Sequence, residues 1–203
     1  MIRILISEDQ SMVRGALAAL LNLEEDLTVV AEVGHGDEVL PIALATRPDV
    51  ALLDIEMPGT DGLNAAAALR EQLPSCRTVI LTTFGRGGYL RRALENGASG
   101  YLLKDAPAGE LARAIRRAVG GERVVDPELA LASLSIGDNP LTPREIEVLN
   151  LSSDGTSIAE IADTLCLSEG TVRNHLSVAI QKMGARNRIE AARLAHERGW
   201  LDA

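Results

Sequence analysis

Five short apolar runs recur through the first 120 residues, and each is followed by a stretch with helical spacing. This alternation limits the possible folds more than any other feature of the chain. The runs are "IRILIS", "LTVVAEV", "VALLD", "TVILTT" and "GYLLK". The stretches between and after them are "MVRGALAALLNL", "DEVLPIALAT" with Pro41 in its first turn, "LNAAAALREQL", "GYLRRALENG" and "PAGELARAIRRAVGG". Their start and stop signals are those expected of helices, with proline near the beginning and glycine just past the end. Five strand–helix units in a row imply a parallel sheet of five strands with helices on both faces. The runs are almost continuously apolar, which suits a sheet covered on both sides.

The rhythm changes near residue 120. Gly, Asp and Pro then punctuate the chain around a weak helix, "PELALASL", which marks residues 121–139 as a linker between domains at 1–120 and 140–203. Beyond it the pattern is all-α: "PREIEVLNLSS", "SIAEIADTLC", "EGTVRNHLSVAIQKMG" and "RIEAARLAHERG".

Composition closes off several function classes. The formal charge is −9, against a chain that coats nucleic acid over its whole surface. Charge is uneven, however. Residues 173–198 hold six Lys or Arg against two acids, a local excess of +4. No apolar run could span a bilayer, so direct membrane insertion is not expected. The N-terminus lacks a signal-peptide plan. Cys76 and Cys166 lie far apart with no metal-type spacing and read as buried thiols of a reducing cytoplasm.

In a parallel α/β sheet, ligands bind beyond the C-terminal strand ends. Here those ends carry Glu8 and Asp9, then Asp54, then Thr82, then Lys104. If the first and third strands are neighbours, three carboxylates converge. They repel one another unless a cation sits among them, and hard oxygen ligands suit Mg²⁺. Asp54 so placed can attack phosphorus and form an aspartyl-phosphate. The metal and Lys104 would offset phosphoryl charge, and the Thr82 hydroxyl could bond the bound group. Each acid alone is as readily a cap or a solvated loop residue; Asp9, for example, could cap the helix beginning near Ser11. It is the set together that points to chemistry.

With "SED", "LLDIEMPGTDG", "ILTTF" and "GYLLKD" in place, residues 1 to about 119 resemble the receiver domain of two-component response regulators. The resemblance implies a flavodoxin-like (βα)5 fold and a phosphoryl group supplied by a sensor histidine kinase. It implies Asp54 as acceptor, Glu8 and Asp9 as the acidic pair, and the main-chain carbonyl of Glu56 as a further Mg²⁺ ligand. Thr82 and Tyr101 fall on the switch positions and Lys104 on the lysine. "FGRGGYL" would leave the start of the fourth helix weakly held.

The helical tail has the spacing of a helix-turn-helix, with Ser168 as N-cap of the second helix. "LTPREIEVL", "EIA" and "GTVRNH" resemble the DNA-binding domain of NarL/FixJ (LuxR-type) regulators, over residues 141–200. The resemblance implies base reading in double-stranded promoter DNA by Arg173, Asn174 and Ser177. It implies backbone contacts by Thr171, Lys182 and Arg188. The family's Asn-Lys before "EIA" is replaced by Ile158 and Ala159, which removes a phosphate-holding lysine. The expected protein is a phosphorylation-controlled transcription factor rather than an enzyme, dimerising when phosphorylated, with the first and fifth helices as the dimer surface. The "DIEMPG" and "TTFGRGGY" runs look most like regulators of membrane-lipid desaturation. Two alternatives are a receiver protein acting through protein contacts only, and an Asp-nucleophile phosphatase. The phosphatase needs a second Asp where Glu56 stands.

Overall fold

The computed structural model describes residues 1–83, 87–105, 107–126, 129–131, 137, 139–153 and 155–201. They fall into two compact units. The first is built on six parallel strands: β1 (Ile2–Ser7), β2 (Leu27–Val33), β3 (Val50–Leu53), β4 (Arg77–Thr82), β5 (Gly100–Leu103) and β6 (Val124–Val125). Their order is β2-β1-β3-β4-β5-β6. The helices are α1 (Ser11–Leu21), α2 (Gly36–Thr46), α3 (Gly62–Gln72), α4 (Gly87–Glu95) and α5 (Ala108–Val119).

Each of the four central strands, β1, β3, β4 and β5, is mostly apolar, and both faces are filled. Leu5, Leu53 and Ile80 belong to one buried cluster, into which α3 and α4 send Leu63, Leu69, Leu90 and Ala93. Ile4, Ile6, Leu52, Val79 and Leu81 belong to the other, with Ala18 and Leu21 of α1 and Leu111 and Ile115 of α5. The alternation along each strand sends successive residues to opposite layers.

Two expectations are corrected. The sheet has a sixth strand, because residues expected in the linker continue it: Gly100 pairs with Val124 and Tyr101 with Val125. Two residues of β-branched Val are too short a run to read as a strand without the β5 edge that receives them. Pro41 lies inside α2 rather than in its first turn, because the helix begins at Gly36 behind His35. The weak helix at "PELALASL" lies largely outside the described residues, as does part of "FGRGGYL".

The second unit is a four-helix domain of α6 (Pro143–Ser153), α7 (Ile158–Thr164), α8 (Glu169–Met183) and α9 (Arg188–Glu197). Val148, Leu149, Ile161, Val172, Leu176, Ala179, Ala191 and Trp200 are buried in one core. Side-chain caps set the helix starts. Thr142 and Glu145 exchange hydrogen bonds at the head of α6, and Ser157 with Glu160 does the same for α7. Ser168 caps α8. Cys166, expected to be buried, is exposed, because the tight turn between α7 and α8 puts it in the left-handed region at φ 53°; the amide of Leu167 returns to the carbonyl of Ala162.

Candidate functional site

The strand order makes β1 and β3 neighbours, with Ser7 opposite Leu53. The residues that follow these two strands therefore come together. One carboxylate oxygen from each of Glu8, Asp9 and Asp54 lies within 4.8 Å of the others. Glu8 and Asp54 are buried and Asp9 is exposed. Lys104, just past β5, reaches back across the strand ends. Its Nζ is 2.6 Å from Glu8 Oε2 and 2.8 Å from Asp54 Oδ2. Asp54 Oδ1 also accepts a bond from the amide of Ile55 at 2.8 Å.

Burial pushes the Asp54 carboxyl up to about 6, against the opposing pull of Lys104. Burial also works to discharge Lys104, but hydrogen bonds to Asp54 and Glu8 outweigh it and raise its pKa. The arrangement is a cluster of oxygen donors with one ammonium, short of positive charge for three carboxylates. Such a hard donor set fits Mg²⁺. Asp9 is not a helix cap: α1 is capped at Gln10, without a side-chain bond. That leaves its carboxylate for the cluster.

The loop after β3 is held from behind. A Cβ at Gly62 would lie 1.9 Å from the carbonyl oxygen of Asp54, so only glycine fits this close approach of α3. Asp61 caps α3 through the amide of Asn64. Thr60 donates to Asp37 from both its amide and its hydroxyl, and the amide of Gly36 donates to the carbonyl of Pro58.

Thr82 ends β4 and is buried, and its carbonyl accepts from the amide of Lys104. Tyr101 is fully buried in β5 opposite Ile80. It shares a core cluster with Tyr89 and Leu90 of α4 and packs beside Val125 of β6. Glu56 is exposed in the loop.

In the helical unit, α8 presents Arg173, Asn174 and Ser177 to solvent while Val172, Leu176 and Ala179 face the core. Thr171 is half-buried, and its hydroxyl is 2.8 Å from that of Ser168. Arg173 is paired with Glu169 one turn earlier, at 2.7 Å. Two residues expected on the DNA backbone carry contacts within the domain. Lys182 donates to both carboxylate oxygens of Glu145, at 3.0 and 2.7 Å, and so ties α8 to α6. Arg188 donates to the carbonyl of Thr156 at 3.0 Å. Spacing along one helix did not disclose these partners. The "TPRE" start of α6 was the available signal, because a capping-box glutamate is turned inward. Ile158, in place of the usual polar residue, packs against the core, and Ala159 is exposed.

Between α1 and α5 lies an apolar groove of about 270 Å³, lined in part by Leu17, Leu20, Leu23 and Leu111. Leu20 and Leu23 are 46% and 79% exposed. Arg116 of α5 is not free for a partner: it bonds Glu24 and Asp26. No helix among the described residues is long and apolar enough to cross a membrane.

Residues 4–116 match the family described as "Response regulator receiver domain", and residues 139–195 match "Bacterial regulatory proteins, luxR family". Among curated proteins, the chain is 49% identical over 201 residues to the transcriptional regulatory protein YvfU of Bacillus subtilis. It is 48% identical over 201 residues to the transcriptional regulatory protein DesR of the same organism. Both alignments cover 99% of this chain and all of the relative. Among solved structures, the response regulator ChrA of a heme-sensing two-component system is 36% identical. It matches with a TM-score of 0.58 over 98% of each chain.

Proposed function

The chain belongs to the response regulators that join a receiver domain to a LuxR-type DNA-binding domain, and we propose that phosphorylation of Asp54 controls its grip on promoter DNA. Its relatives are transcriptional regulators, and the chain is one of them rather than an enzyme. The observation that carries the proposal is a buried Asp54 held by Lys104 beside Glu8 and Asp9.

A sensor histidine kinase supplies the phosphoryl group. A carboxylate oxygen of Asp54 attacks phosphorus as the bond to the donor breaks. Glu8, Asp9, Asp54 and the main-chain carbonyl of Glu56 would hold Mg²⁺, whose charge offsets that of the phosphoryl oxygens. Lys104 trades its contact with Asp54 for one with a phosphoryl oxygen. Thr82 bonds another, and Tyr101 responds to the movement of Thr82. Arg173, Asn174 and Ser177 read bases in the major groove, with Thr171 near the backbone. Lys182 and Arg188 can add phosphate contacts only by leaving their present partners.

A single helical unit with so many paired charges grips one half-site weakly. Two units held together gain from effective concentration, by roughly 10²–10⁴. Phosphorylation therefore acts by making a homodimer through α1 and α5, with exposed Leu20 and Leu23 in support. The receiver, which β6 extends to Val125, does the phosphoryl chemistry, residues 140–203 bind DNA, and the segment between connects them. A promoter partner and a kinase donor put the work in the cytoplasm.

The test is incubation with acetyl phosphate and Mg²⁺, followed by intact mass. The parent gains one phosphoryl group; Asp54→Asn and EDTA each prevent the gain. Equal uptake by Asp54→Asn sinks the assignment.

A further inference from the structure

We infer that Arg14 is a positioning residue for the acidic pair: its guanidinium fixes the main chain of Glu8 and Asp9, so that their carboxylates stay turned toward Asp54. This rests on the proposed phosphorylation site and deepens it. Arg14 is the fourth residue of α1. Its Nη1 donates to the carbonyl of Glu8 and, at 3.4 Å, to the carbonyl of Asp9. Among the described residues it makes no ion pair, unlike Arg116, Arg173 or Arg186. The space it fills is left by Gly34, just past β2. A Cβ there would lie 3.0 Å from Nη1 and 3.6 Å from Cζ, so the guanidinium rests against the glycine backbone.

A half-buried arginine committed to two neutral carbonyls needs a reason. The loop between β1 and α1 carries two of the three carboxylates, and mutual repulsion pushes that loop outward. α1 offers no side-chain cap to resist it. A single guanidinium nitrogen, Nη1, serves both consecutive carbonyls, and a lysine ammonium keeps the charge but carries it on a shorter stem. It also brings a fixed positive charge to the loop without occupying a ligand position. Partners that orient metal ligands from behind are typically worth roughly 10–100-fold in metal affinity.

The experiment uses the full-length protein. MgCl₂ is titrated by calorimetry into the parent, Arg14→Gln and Arg14→Lys, and phosphoryl uptake from acetyl phosphate is timed across a range of Mg²⁺. Arg14→Gln is expected to weaken Mg²⁺ binding by about 10-fold or more. Its phosphorylation rate climbs back toward the parent's at high Mg²⁺, and Arg14→Lys falls between the two. A purely structural arginine would lower the melting temperature and leave the Mg²⁺ dependence unmoved, which overturns the inference. So does an Arg14→Gln affinity within twofold of the parent's. Should Arg14→Gln not fold, Arg14→Lys decides, and parent-like Mg²⁺ binding by that variant overturns it equally. A parent that binds no Mg²⁺ and takes up no phosphoryl group brings down the phosphorylation reading and this inference together.

Discussion

Replacing Lys182 by Met should destabilise the DNA-binding unit more than it weakens DNA contact. Met keeps most of the stem and removes the ammonium. Glu145 is then a carboxylate whose side chain is 6% exposed, without its cation. Breaking a fully buried pair costs about 3–5 kcal/mol and an exposed one about 0.2–1. Lys182 is 32% exposed, which places the pair between these limits, at about 2 kcal/mol. For a domain of this size that lowers the midpoint by about 8–16 °C. Trp200 is the chain's single tryptophan and is buried in this unit, so its emission reports that transition alone. The effect has a pH signature. Burial works to raise the Glu145 pKa, but the bonds from Lys182 and the Thr142 amide outweigh it and the net shift is downward. A carboxylate with a depressed folded pKa stabilises fully above its unfolded value, 4.5 here, and loses that contribution as pH falls through the folded one. In Lys182→Met burial is left with less opposition, so the penalty is largest near neutral pH and fades in acid. Glu145→Gln should offset part of the loss in a double-mutant cycle. A Trp200 midpoint within about 2 °C of the parent's, with a DNA salt slope smaller by about one, would show that Lys182 faces phosphate instead.

Arg173→Ala should lose about 1–3 kcal/mol on a specific site and much less on random DNA; equal losses in a binding titration would demote it to a backbone contact. Glu169→Gln frees Arg173 and should tighten binding to random DNA at low salt, and no change by the same assay would show the 2.7 Å pair to be irrelevant. Gly62→Ala forces a methyl against the Asp54 carbonyl and should cost the receiver at least about 1–3 kcal/mol, read by circular dichroism, and slow phosphoryl uptake. Leu23→Asp should leave monomer stability within about 0.5 kcal/mol, because the side chain is 79% exposed. It should also reduce the phosphorylated dimer in sedimentation, and an unchanged dimer fraction removes the turn after α1 from the interface.

The sheet was legible because both of its faces are buried. That requirement makes the central strands apolar runs, and β3 is Val50–Leu53, buried throughout, as the run "VALLD" implied. Convergence of Glu8, Asp9 and Asp54 followed from one topological condition, β1 beside β3, which no local pattern states. β6 was illegible for the opposite reason. Val124 and Val125 are a strand only because β5 offers an unpaired edge, and Tyr101 stands in register there. Arg14 was equally hidden: its partners are carbonyls, which every residue carries, so no side-chain pattern announces them.

The residues proposed to face DNA divide on the same physical ground. A sequence presents Arg173, Lys182 and Arg188 as three equivalent cations, yet their partners differ in what release costs. Arg173 leaves an exposed glutamate, 48% accessible, which water can solvate, so exchanging Glu169 for a base edge loses little. Lys182 leaves a buried carboxylate that water reaches poorly. Arg188 strands the carbonyl of Thr156, next to the cap that starts α7. If the proposed DNA contacts hold, specific contact would be cheapest on the exposed face of α8, through Arg173, Asn174 and Ser177, and generic phosphate attraction would be weakened by internal pairing. Under the proposed mechanism, a domain built this way would trade affinity for discrimination and would recover most of the affinity when phosphorylation brings a second copy alongside.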